Sequence, residues 1–211
     1  MSGDDPSMAR PELNPARPGR NGEGRAGPRV RKVDAAYLER AALHYLERFA
    51  SSAANLRRVL LRKVRRSAEA HGTDPEEGRA LVDALVSRFA ASGLLDDAAY
   101  ARARAATLHR RGGSRQAIRG KLAAKGIDAD TAAAALAEIA EDGAALDLAA
   151  ACNFVRRRRL GCLARRGSPE ERRDRDLAAL GRAGFPLDTA RRVLACRSAE
   201  ELDALAAGEA D

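Results

Sequence analysis

Apolar residues in this chain recur every three or four positions, in blocks separated by glycine, serine and aspartate. Leu38, Ala42, Tyr45, Leu46 and Phe49 share one stripe of the segment Ala36 to Phe49, and Glu39, Arg40, Glu47 and Arg48 lie largely outside it, which predicts an amphipathic helix. Ser52, Leu56, Leu60 and Lys63 begin another. Leu81, Leu85 and Phe89, flanked by Val82 and Val86, mark a third. Further helices are predicted over Asp97 to Arg110 and over Ala144 to about Arg159. No segment of comparable length alternates apolar and polar residues as a half-buried strand would.

The blocks repeat. Ser114 to Leu136 and Arg172 to Leu194 carry one pattern at a constant offset, pairing Arg115 with Arg173, Leu122 with Leu180, Gly126 with Gly184, Asp130-Thr131-Ala132 with Asp188-Thr189-Ala190, and Leu136 with Leu194. A weaker upstream copy places Ser52, Leu56, Leu60 and Lys63 at the spacing of Ser114, Ile118, Leu122 and Lys125. In the two strong copies Gly126 and Gly184 can take the left-handed conformation that ends a helix, and Ile127 or Phe185 folds back on the last turn. Asp128 is an N-cap candidate for the next helix, with Asp130 and Asp188 in first turns, where the helix dipole favours a carboxylate. A helix precedes each unit, so each repeat is three-helical. Such units stack by burying one another's apolar faces, which predicts an all-α, elongated, curved array. The expected division is a disordered basic tail over residues 1–33, repeats over 34–95, 96–141 and 142–196, and a C-terminal tail or short helix over 197–211. Ser198 and Glu201 have the spacing of a capping box for that last helix.

Composition narrows the picture. Three tyrosines, four phenylalanines and no tryptophan in 211 residues imply thin, alanine-rich cores between helices. The formal charge of +8 points to an anionic partner, a nucleic acid or an acidic protein surface. Most aromatics fall at core-facing positions, so base stacking on exposed rings is not expected. The N-terminal residues lack the apolar run of a secretory signal, and no stretch is long and apolar enough to span a bilayer, which predicts a cytoplasmic protein without membrane contact. Cys152, Cys162 and Cys196 match no common zinc spacing and read as structural or incidental thiols. His44, His71 and His109 are isolated, and no phosphate-binding GxxxxGK[ST] loop is present; no metal, cofactor or catalytic residue is expected. A stacked array completes its own core, so a monomer is expected.

The junction Gly93-Leu94-Leu95-Asp96-Asp97-Ala98-Ala99-Tyr100-Ala101 reads physically as a helix stop and restart. Gly93 closes one helix, Leu94 and Leu95 plug the seam between units, Asp96 caps the next helix with Asp97 in its first turn, and Tyr100 points back into the seam. Together with Lys125-Gly126-Ile127 and Gly184-Phe185, this string closely resembles the RecX family of bacterial regulatory proteins. The hallmark is a glycine, two apolar residues, an acidic pair and an aromatic-alanine step, then a Lys-Gly-apolar turn and a Gly-Phe turn. The resemblance covers roughly Ala36 to Leu194. It implies three tandem three-helix repeats, no enzyme activity, and a role in DNA repair and the SOS response. Its implied partner is the RecA recombinase filament, whose ATP hydrolysis, strand exchange and coprotease functions such proteins modulate and usually inhibit. The chain departs from the family pattern at Val64 to Asp74, where Lys63 continues into a longer basic helix ending near His71-Gly72.

Candidate contact residues are the arginine-rich surfaces. One is Arg57, Arg58, Arg62, Lys63, Arg65 and Arg66, of which Arg58, Arg62, Arg65 and Arg66 share a helix face while Lys63 turns toward the buried side. A second is Arg156, Arg157, Arg158, Arg159, Arg165 and Arg166. A diffuse stripe, including Arg102, Arg104, Arg115 and Arg119, lies on the central repeat. Each reads either as a contact to partner or to single- or double-stranded DNA, or as a solvated face. A free-standing DNA-binding protein is the alternative function, but the helix from Asp130 to Ile139 is alanine-rich and carries no base-reading Arg, Asn or Gln.

Overall fold

The computed structural model describes residues 30–140, 142–165 and 167–208, so the expected tail falls almost wholly outside the described residues. From Arg31 onward the chain forms one compact unit, and among the described residues all regular structure is helical. Helices α1 (Ala35–Leu46), α2 (Ala53–His71) and α3 (Pro75–Ala91) make the first three-helix repeat, α4 (Asp97–Arg110), α5 (Arg115–Ala123) and α6 (Ala129–Ala137) the second, and α7 (Gly143–Arg158), α8 (Pro169–Arg182) and α9 (Leu187–Ala195) the third. A 3-10 turn, Gly161–Leu163, links α7 to α8, and α10 (Ala199–Ala207) follows.

Each repeat gathers its own core from the periodic apolar positions. Leu38, Leu56, Leu60 and Val82 are fully buried in the first, Ala101, Ile118 and Leu122 in the second, and Val155 and Leu180 in the third. Local chemistry sets the helix limits. Ser52, Ser114 and Ser168 cap α2, α5 and α8 by accepting an N–H three residues on, and Asp96 and Asp128 do the same for α4 and α6. Helix α2 runs on to His71 and ends at Gly72 with φ +64, as its basic continuation predicts.

Two expectations for apolar residues are corrected. Helix α1 stops at Leu46, three residues short of the predicted end, because the chain must unwind to bring Ser52 into position as the cap of α2. Phe49 is therefore 49% exposed, tilted against Tyr45 with ring centroids 5.2 Å apart, instead of lying on the core stripe. Leu94 is likewise 49% exposed and plugs nothing, while Leu95 is buried. The left-handed Gly93 and the bond from the Leu95 N–H to the Phe89 carbonyl (3.1 Å) turn Leu95 inward, and its chain neighbour must then face out.

The last helix docks on the third repeat. Leu202 and Leu205 enter its core beside α7, and Asp203 pairs with Arg156. The capping box expected at Ser198 forms only by half: the Ser198 hydroxyl accepts the Glu201 N–H, but the Glu201 carboxylate reaches past it to the Arg197 N–H at 2.7 Å. The reciprocal box occurs instead at Ser168 and Glu171, at the start of α8.

Candidate partner-binding surface

The arginines are presented by three repeats that must first be held in register, and the same bonds do this at both junctions. The Ser52 hydroxyl, besides capping α2, donates to the Lys125 carbonyl of the next repeat at 2.5 Å, and Ser114 donates likewise to the Ala183 carbonyl at 2.7 Å. In return, Asp97 of α4 accepts the Ala53 N–H at 2.8 Å, and Asp147 of α7 accepts the Arg115 N–H at 2.7 Å. Helices α2 and α5 thus each begin under a carboxylate supplied by the following repeat, where the helix dipole is positive. The glycine of each turn sits against that helix start. A Cβ on Gly126 would overlap that of Ala54, and one on Gly184 would lie 2.8 Å from the Ser114 hydroxyl oxygen.

Within this frame the motif residues are structural. Asp96 caps α4 through the Ala99 N–H, Ala101 is fully buried, and Tyr100 packs half-buried against the second core. Lys125 donates from Nζ to Asn55 Oδ1 at 3.1 Å, and the buried Asn55 amide donates to Tyr45 and Ser51. Ile127 and Phe185 are buried, the latter edge-on to Phe154 at 5.6 Å. Nothing along the sequence singles out Asp147; one carboxylate inside a helix has no local signal for a bond to another repeat.

The candidate arginines divide by what already holds them. Arg57 forms a two-pronged pair with Asp83 of α3, at 2.6 and 3.0 Å. The hydrogen bond from Arg57 holds the Asp83 carboxyl below the usual carboxylate range. Lys63 lies over the Tyr37 ring at 5.6 Å, Arg115 pairs with the buried Asp147 at 3.7 Å, and Arg156 is taken by Asp203. Arg102 meets Glu138 at 3.7 Å, Arg65 meets Glu69 at 3.5 Å, and Arg58 donates across the junction to the Ala124 carbonyl at 3.0 Å. Arg158 stacks over Phe154 at 5.8 Å. Arg62, Arg66, Arg104, Arg119, Arg157, Arg159 and Arg165 are exposed, and no carboxylate pairs with any of them among the described residues. Arg166 lies outside the described residues. The α2 strip belongs to the first repeat and the α7 cluster to the third.

The cysteines all sit in the third repeat and are free. Cys152 is fully buried, and desolvation pushes its thiol up to about 11. Among the described residues, no helix is long and apolar enough to cross a membrane.

A family model described as "RecX, second three-helix domain" matches residues 96–136. The chain is 43% identical over 184 residues to a regulatory protein RecX of Myxococcus xanthus, an overlap that takes in 86% of this chain and 97% of that one. It is 31% identical over 169 residues to a regulatory protein RecX of Agrobacterium fabrum, covering 80% and 88% of the two chains. No solved structure matches the chain.

Proposed function

Because the chain belongs to the RecX family of regulatory proteins, we propose that it binds the RecA recombinase on its DNA filament and inhibits ATP hydrolysis, strand exchange and coprotease activity, without catalysis of its own. The observation that carries this reading is the extent of the likeness, which spans nearly the whole of a regulatory relative. The exposed, unpaired Arg62, Arg66, Arg119, Arg157 and Arg159 supply the cationic surface such a partner calls for. Helices α2, α5 and α7 display the first four and the end of α7 displays Arg159, in repeats whose mutual register is held by hydrogen bonds. A monomer acting in the cytoplasm is part of the same reading.

DNA-dependent ATP hydrolysis by the cognate RecA, followed while this protein is titrated in at low and at moderate salt, tests it. Inhibition that sets in well below one molecule per recombinase subunit and persists at moderate salt is the expected result. Contacts made mainly to phosphate would weaken steeply as salt rises, because each neutralised phosphate releases condensed counterions. Absence of any effect on RecA, together with tight binding to bare DNA, would overturn the reading in favour of a free-standing DNA-binding protein.

A further inference from the structure

The two junctions share a plan but differ at one place. At the second, the short connection after α4 lies directly on α7: a Cβ at Gly112 would stand 2.6 Å from the Phe154 nitrogen and 3.0 Å from the Ala150 carbonyl oxygen. Ala150 and Phe154 lie three and seven positions beyond Asp147. The residues equally placed beyond Asp97 at the first junction are Tyr100 and Arg104, and there the facing connection is longer, runs from Glu47 to Ser52, and stands off from α4. The seam that is closed at one junction is open at the other.

The opening is a groove of about 800 Å³, with Leu43, Phe49, Leu94, Tyr100 and Ala103 on its walls. Five large apolar side chains are exposed among the described residues, and three of them, Leu43, Phe49 and Leu94, are gathered here. A closed seam of the kind the second junction makes would have hidden them, so the repeat plan does not force their exposure.

Charge on the rim selects the occupant. Asp96 stands at the start of α4 and Arg104 two turns further, about 12 Å along the helix axis, with Glu47 on the opposite connection. Two carboxylates disfavour a phosphate backbone. The walls are α1, α4 and the two short connections beside them, and none of these is a strand with an open edge, which favours a segment that satisfies its own backbone. The patch is also far smaller than the roughly 800 Å² per partner that a stable dimer buries.

We propose that the groove between α1 and α4 docks an amphipathic helix of a partner protein, its apolar side chains against Leu43, Phe49 and Leu94, a basic side chain beside Asp96 and Glu47, and an acidic one beside Arg104. This rests on the reading above, with the helix supplied by the RecA filament.

The test measures binding of the full chain to cognate RecA filaments on single-stranded DNA, for the wild type, the double variant Phe49→Ser/Leu94→Ser, and Arg104→Glu. Both substituted apolar residues are half in solvent, and circular dichroism checks that the fold persists. The double variant is expected to bind on the order of tenfold more weakly or worse, and Arg104→Glu several-fold more weakly. Hydrogen exchange on the wild type should show residues 43–51 and 94–104 protected when filaments are added, a readout that stands even if a variant misfolds. A wild type that does not bind RecA removes the functional reading and this proposal together. A wild type that binds while the variants bind equally well and those segments stay unprotected overturns the groove alone. So does a double variant that loses bare single-stranded DNA in parallel, since the occupant would then be nucleic acid, or a wild-type dimer that the double variant dissociates, since it would then be a second copy.

Discussion

Gly72, Gly126 and Gly184 all close a helix with positive φ, yet they are not equivalent. The space around a Cβ at Gly72 is open, whereas at Gly126 it is filled by Ala54. Gly72→Ala should therefore cost only the left-handed backbone, about 1–2 kcal/mol. Gly126→Ala adds overpacking of about 1–3 kcal/mol, and the difference between the two in urea midpoints isolates the junction's share. The sequence pattern marked these turns as helix stops. It carried no trace of the second requirement, because a close approach between residues so distant in the chain leaves no local pattern. Phe49 and Leu94 are the converse: the apolar stripe placed the first inside and the junction string placed the second in the seam, and a turn geometry settled by neighbouring residues put both out.

Among the helices, Ser52, Ser114, Asp97 and Asp147 each serve a helix start and clamp two repeats together. Removing the Asp147 side chain leaves the Arg115 N–H without its acceptor at a buried helix start, so Asp147→Ala should destabilise the fold by about 1–3 kcal/mol in denaturant titrations, more than a surface Asp would. Ser114→Ala removes a cap and a clamp together and should cost about 1–2 kcal/mol. Asp128, which caps α6 within one repeat, has its carboxyl held below the usual value first by the Thr131 N–H and then by the Thr131 hydroxyl. A carboxyl depressed in the folded state stabilises the fold above its unfolded value of 3.8 and loses that contribution as pH falls through the lower folded value. Acid unfolding curves of Asp128→Asn should accordingly be flatter than wild type below pH 4 and differ from it mainly by a constant offset at neutral pH. The caps were legible because Ser or Asp before an apolar period is a local signal. The roles of Asp97 and Asp147 were not, since a first-turn or mid-helix acid reads as a dipole or solvent partner until the preceding repeat is seen to offer it a free N–H.

Taken whole, the described residues form three cores, one to each repeat, with α10 completing only the third. Stability in such arrays is close to a sum of units and nearest-neighbour terms. Ending the chain at Arg197 strips Leu202 and Leu205 from the core beside α7, so hydrogen exchange in α7 to α9 should quicken while α1 to α3 keep their protection. Uniform loss of protection across all three repeats would show instead a single cooperative unit.

Periodicity, caps and the repeated glycine turns determined by themselves that this chain is a tandem set of three-helix units, because each of those signals acts over a few residues of one helix. The family resemblance rested on the same local strings. Which arginines remain available, and that an apolar groove opens at one junction and not the other, was decided only by tertiary structure. Pairing consumes Arg57, Arg115 and Arg156 through carboxylates in other helices, and the groove depends on how far one connection stands from a helix of the next repeat. Those are distances between segments far apart in sequence, and the pattern along a single chain does not contain them.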